Sequence, residues 1–118
     1  MDKHLRDLIQ INGVIGAMIL TNTGEILAHL GDFKLLPLKS VATEISGLYR
    51  EQILLDKQIK WFLISFDIFN VQFSIHHPIL IVCFSDSDVP TSLIRLTLGV
   101  VLSKLKNDKK FQKSINNL

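Results

Sequence analysis

Residues 61–85 constrain the fold of this chain more than any other stretch. They carry a single formal charge, Asp67, in a sequence where charged residues make up 20%. They also hold Trp61 and five of the seven phenylalanines: Phe62, Phe66, Phe69, Phe73 and Phe84. Turn signals at 67–70 and at His77-Pro78 divide the stretch into three runs, 60–66, 71–76 and 79–85. Each has the length of a strand and is rich in β-branched and aromatic residues. In the first run Trp61 and Leu63 alternate with Phe62, Ile64 and Phe66. In the third, Ile79, Ile81 and Cys83 alternate with Leu80, Val82 and Phe84. A strand that is apolar on both faces must be covered on both faces. The stretch therefore predicts a meandering sheet with helices, or a second subunit, on each side.

The rest of the chain supplies those covers. Leu5, Leu8 and Ile9 lie at helical spacing within 2–11, and Asn12-Gly13 ends that helix. Val14 to Thr21 reads as a central strand, with small Gly16 and Ala17 allowing close packing. Asn22-Thr23-Gly24 is a tight turn, with Gly24 supplying positive φ, and 25–30 returns as a more exposed strand. A loop over 31–36 leads to Pro37, which suits the first turn of a helix running to about Asp56. Its apolar positions include Leu38, Val41, Ala42, Ile45, Leu48, Tyr49 and Ile53. That band is broad enough to face a sheet with one edge and a partner with the other. Gly47 sits mid-helix, where glycine costs about 1 kcal/mol against alanine, and is expected to permit a close helix–helix crossing. After the meander, Ser87 or Asp88 is the expected N-cap of a last helix with Pro90 in its first turn. Its main stripe is Ile94, Leu98, Val101 and Leu105, broadened by Leu93, Leu96, Val100 and Leu102.

The order is helix, strand, strand, helix, strand, strand, strand, helix. It predicts an α+β fold: a five-stranded antiparallel sheet with the middle helix on one face and the two terminal helices on the other. A single domain is expected over 1–107. A lysine-rich tail follows over 108–118, with order fading beyond about Lys110.

Composition narrows the function classes. At 118 residues the chain can build one real core. The lone Cys83 excludes an internal disulfide and points to a reducing compartment, here the cytoplasm. A net charge of +2 is too slight to argue for nucleic acid. No signal-peptide core opens the sequence, and no apolar run approaches the roughly 20 residues that span a bilayer. The mean hydropathy of +0.32 is high for a small monomer, and surplus apolar surface is usually covered by a partner.

Residues 8–26, which read LIQINGVIGAMILTNTGEI, resemble the roadblock/dynein light chain family. Its members open with a helix, then a Gly-Val leading a hydrophobic strand, then a polar turn ending in Gly. Gly13-Val14 and Gly24 stand at those places, and the element order matches over nearly the whole chain. The resemblance implies a dimer in which two middle helices lie side by side and the third strands pair edge to edge into a ten-stranded sheet. It also implies a non-catalytic platform for Ras-like small GTPases. On that footing Ile45, Leu48, Tyr49 and Gln52 on the helix, with Trp61, Phe62 and Leu63 on the strand, are the expected self-association residues. Lys39, Glu44 and Arg50 are the expected partner contacts. Two physical arguments agree with pairing. A helix apolar on two sides is satisfied by a two-fold mate, and an unbroken strand over 60–66 leaves an edge that needs cover.

No catalytic or cofactor constellation competes with that reading. His76 and His77 are adjacent on a strand and point to opposite faces, so they do not chelate together, and no metal is expected. Cys83 lies inside Ile-Leu-Ile-Val-Cys-Phe, the setting of a core thiol rather than a nucleophile. Gly13 and Gly16 lack the lysine and the hydroxyl residue of a phosphate loop. Asp86 and Asp88 are more simply read as helix caps than as an acid–base pair. The lysines at 104, 106, 109, 110 and 113 are expected to be solvated. No cofactor and no enzymatic activity are expected. Two other readings stay open: a light-chain-like scaffold subunit, and a small-molecule sensor of similar helix–sheet architecture.

Overall fold

The computed structural model describes the backbone of residues 2–32, 38–55 and 60–116, with side chains over 2–32, 42–51 and 60–116. Five strands form one sheet in the order β2-β1-β5-β4-β3, antiparallel throughout. They are β1 Val14–Thr21, β2 Ile26–Gly31, β3 Trp61–Ser65, β4 Phe69–His76 and β5 Ile79–Asp86. The helices are α1 Arg6–Ile9, preceded by a 3-10 turn at Asp2–Leu5, then α2 Leu38–Leu55, α3 Thr91–Lys106 and α4 Lys109–Ile115.

The expected layering holds. β5 is buried from Ile79 through Ser85, as a strand apolar on both faces requires. Its alternation sends Ile79, Ile81 and Cys83 toward Leu5, Leu8 and the inner stripe of α3. Leu80, Val82 and Phe84 go toward Ala42, Ile45 and Tyr49 of α2. The sheet thus separates two cores. On the α3 side Ile94, Leu98, Val101 and Leu105 are all buried, the stripe that the 3.6-residue period picks out. Burial pushes the Cys83 thiol up to about 12, which leaves it inert as a nucleophile near neutrality.

Three local expectations are corrected. The last helix begins at Thr91 with Pro90 in the cap position and no side-chain cap bond. Asp88 is exposed and Asp86 ends β5, so neither aspartate caps the helix. Leu93, Leu96 and Val100 do not broaden the buried stripe; they stand outward at 43%, 70% and 45% exposure. The lysine-rich tail does not fade beyond Lys110. Asp108 caps α4 by accepting from the Lys110 and Phe111 amides, and Phe111 and Ile115 enter the core beside Leu5 and Leu105. Those two apolar residues sit one helical turn apart, so α4 has one narrow inward face while Lys109, Lys110 and Lys113 stay exposed. Pro37, the expected helix start, lies outside the described residues.

The small residues of β1 also have a finding attached. Gly31 ends β2 opposite Gly16 at φ +113, and a Cβ added there would lie 2.4 Å from the Gly16 Cα and 2.5 Å from the Ile15 carbonyl oxygen. Both contacts are to backbone, which cannot rotate away. Gly31→Ala is therefore expected to lose roughly 1–3 kcal/mol in urea denaturation. An unchanged midpoint would mean that the two strands separate there without cost.

Candidate functional site

The surface that the predicted residues share is the side of α2 that looks toward β3. At 100° per residue, Ala42, Ile45, Ser46 and Tyr49 form the inward face of α2, and all four are buried. Ser46 donates to the Thr21 carbonyl at 3.3 Å. The Tyr49 hydroxyl meets His77 Nδ1 at 3.0 Å, and burial raises its pKa above the ordinary phenol value. Tyr49 is thus held in the chain's own interior at 2% exposure. Glu44 and Leu48 lie on the β3 side of the helix, with Thr43 and Arg50 on the other; the side chains of Glu44, Leu48 and Arg50 are exposed.

Between α2 and the β3–β4 hairpin runs an apolar groove of about 220 Å³. Ile45, Leu48, Ile64, Phe66 and Phe69 form its walls, with Glu44 at its rim and Val71, Phe73 and Phe84 beneath. Phe62 stacks on Phe73 across the hairpin at 4.4 Å between ring centroids. Phe66 stacks on Phe69 at 4.6 Å. The Phe66 amide donates to the Phe69 carbonyl at 2.8 Å, so only Asp67 and Ile68 form the loop and β4 starts at Phe69. Phe66 is 49% and Ile68 78% exposed, giving the hairpin an apolar tip.

β3 is the edge of the sheet. It pairs with β4 alone among the described strands. Trp61 lies on the α3 side, with the Arg95 guanidinium 4.4 Å from its ring centroid in a cation–π contact. Phe62 and Ile64 pack toward α2. Leu63 is partly buried, and its alternation sets it on the Trp61 side.

The structure therefore gathers Ile45 and Leu48 at one groove, with Phe62 on the adjoining strand. Trp61 and Leu63 lie on the opposite sheet face of the same edge strand. Glu44 stands at the groove and Arg50 on the far flank of the helix. The side chains of Lys39 and Gln52 lie outside the described residues. Ile64, Phe66 and Phe69 are groove residues that sequence reasoning did not single out. Their signal was an aromatic on each side of a two-residue turn, which pairs them across a hairpin. Among the described residues no three of His, Cys, Asp and Glu are grouped to hold a metal, and no helix is long and apolar enough to cross a membrane.

No protein-family model matches the sequence, and no curated protein matches it either. Solved structures do match in shape. Myxococcus xanthus MglB superposes with a TM-score of 0.78 at 15% identity, over 99% of this chain and 92% of that one. A roadblock/LC7 domain from Streptomyces avermitilis gives 0.76 at 10% identity, over 90% and 94%. A structure of MglB with a tetrameric arrangement gives 0.71 at 18% identity, over 84% and 76%. These matches span most of the chain at TM-scores of 0.71 to 0.78: the chain has the roadblock/LC7 fold.

Proposed function

We propose that this chain is a roadblock-family adaptor of the cytoplasm that pairs with a second copy through α2 and β3 and engages a Ras-like small GTPase, with no catalysis of its own. The observation that carries the reading is the uncharged edge strand Trp61–Ser65 lying beside an apolar groove whose wall residues Leu48 and Phe66 are exposed. A bare edge with an apolar flank is an association surface unless something covers it. A two-fold mate covers both at once: its β3 extends the sheet, and its α2 lies along this α2. The tetrameric arrangement of one MglB structure supports self-association as a property this fold accommodates.

In the pair, Leu48, Ile45 and Phe62 make the groove contact, Trp61 and Leu63 support the joined strands, and Gln52 extends the helix contact. Tyr49 acts from inside, holding α2 on its sheet. Glu44 and Arg50, with Lys39, are the polar contacts offered to the GTPase. Such a platform acts by binding one nucleotide state of the GTPase better than the other, and shifts that equilibrium only by its differential affinity. The test is to mix the chain with GTP-loaded Ras-like GTPases of the same genome. Binding or an altered hydrolysis rate, weakened by Glu44→Ala with Arg50→Ala, is expected. Neither effect with any of them would remove the GTPase from the proposal.

Gly47 gives a second test. A Cβ added there meets nothing within 4 Å in the single chain, so Gly47→Ala is expected to stabilise an isolated subunit by about 1 kcal/mol. If two helices cross closely at Gly47, the same change weakens self-association. Denaturation at low concentration and sedimentation at high concentration read the two effects separately. A gain in both would place the helix contact elsewhere.

A further inference from the structure

A second groove lies at the other end of the β3–β4 hairpin, and its chemistry is of a different kind. It has a volume of about 540 Å³ and is lined by Lys60, Ser74, Ile75, His76, His77 and Lys106, with Leu102 as apolar wall. The fold brings these residues together from separate elements. The Ile75 amide donates to the Lys60 carbonyl at 2.8 Å, which seats Lys60 beside the end of β4. Strand alternation places Ser74 and His76 on the α3 side of β4. The last turn of α3 brings Leu102 and Lys106, one turn apart, to the same place.

Among the described residues no carboxylate lines this groove. Lys104 pairs with Asp7, but neither Lys60 nor Lys106 has an ion-pair partner among the described residues. The C-terminal carbonyls of α3 do not supply the missing negative charge freely. Ser103 and Leu105 accept from the amides of Asn107 and Asp108, and Leu105 also from Gln112 Nε2. Like charges gathered without a counter-charge repel. Their effect is visible at His76: burial first, then the charges of Lys106, Lys60 and His77, hold its pKa below the ordinary imidazole value. Tyr49 is the other titratable group near the histidine pair. Its hydroxyl meets His77 Nδ1 at 3.0 Å, which ties that ring to α2.

We propose that this groove is a binding site for a phosphate-type dianion, held by the ammonium groups of Lys60 and Lys106, the His76 imidazole and the Ser74 hydroxyl. Two permanent cations match the two charges of a phosphate group near neutrality, and hydroxyl and imidazole donors suit its several acceptor oxygens. Leu102 gives the organic part of a phosphomonoester a wall to lie against. The bound dianion favours the protonated form of His76, so binding moves the His76 titration midpoint upward.

The experiment is a titration of the full chain with inorganic phosphate, with ionic strength held constant by sodium chloride, followed through the imidazole NMR signals of His76 and His77. Saturable shifts are expected, together with an upward move of the His76 titration midpoint. Lys60→Gln with Lys106→Gln, both exposed positions, should weaken binding at least tenfold, and Lys110→Gln should leave it unchanged. Glycerol 2-phosphate and vesicles with or without phosphatidic acid then separate the sources. Tighter binding of the soluble ester assigns the site to a free phosphomonoester. Binding only to vesicles that contain phosphatidic acid assigns it to a lipid headgroup. Shifts that grow linearly with phosphate, an unmoved His76 midpoint, or shifts insensitive to the double lysine change would overturn the proposal.

Discussion

Phe111→Ala is expected to lose about 3–5 kcal/mol of folding stability, the usual cost of removing a buried phenylalanine ring. Phe111 is 2% exposed and packs in the core shared by Leu5, Leu8, Leu98 and Leu105. A domain of this size has about 5–15 kcal/mol in all, so the loss is a large share of the total. Urea denaturation of the variant beside Lys110→Ala, an exposed neighbour, gives the comparison. A loss under about 1 kcal/mol, below the span expected for a buried ring, would mean that α4 is only laid against the body. The anchor of α4 carries a pH signature. Asp108 accepts from His4 at 2.6 Å and from two amides of its own helix. The His4 hydrogen bond first, then the backbone hydrogen bond from Phe111, hold its pKa down at about 2. A carboxyl lowered on folding contributes stability above its ordinary pKa and loses it as the pH falls through 3.8 toward 2. Protection of the Phe111 and Ile115 amides from hydrogen exchange, taken relative to the intrinsic rate at each pH, should therefore fall over that acid range, and Asp108→Ala should abolish this local transition.

Leu48→Glu is expected to weaken self-association about thirtyfold or more, the scale of a hot-spot residue worth 2 kcal/mol or above. Leu48 is 36% exposed, so the fold tolerates the change. What the glutamate meets is the groove side of the proposed interface, where a charge in an apolar contact lacks both water and a partner. The control is Leu96→Glu. Leu96 is 70% exposed on α3, a face that also carries Leu93 and Val100, so the two variants introduce the same charge on opposite sides of the molecule. Sedimentation velocity across a concentration series should show dissociation for Leu48→Glu and little change for Leu96→Glu. The reverse pattern would move the interface to α3.

Which parts of the structure were legible in the sequence follows from how each signal is carried. Period is carried by many residues at once. The two-faced apolar runs at 60–66 and 79–85, and the stripe Ile94, Leu98, Val101, Leu105, each repeat their message, and each gave the right element. Where one or two residues decide the outcome, the reading was weaker. Phe111 and Ile115 are outnumbered by the lysines around them, yet two apolar positions one turn apart are enough to dock a short helix once Asp108 caps it. Leu93, Leu96 and Val100 are apolar at helical spacing too. Which of two adjacent apolar stripes turns inward depends on where the sheet lies, and that is tertiary information. The same holds for the α2 surface. Sequence marks Ile45, Leu48 and Tyr49 alike as apolar, while the packed helix puts Tyr49 inside with His77 and leaves Leu48 at the groove. Phe66 and Phe69 acquire their role only when the turn between them is fixed at two residues. Lys60, His76 and Lys106 are far apart along the chain, and nothing local brings them to one groove.

The central claim is that α2 and β3 meet a second copy. Light scattering on the eluting peak of the unmodified chain, over a wide range of loading concentrations, tests it most directly. The account predicts a mass of twice the 13.4 kDa chain, or a concentration-dependent approach to it. A mass that stays at 13.4 kDa up to the highest loading, with the β3 amides exchanging as fast as other exposed edges, would contradict it.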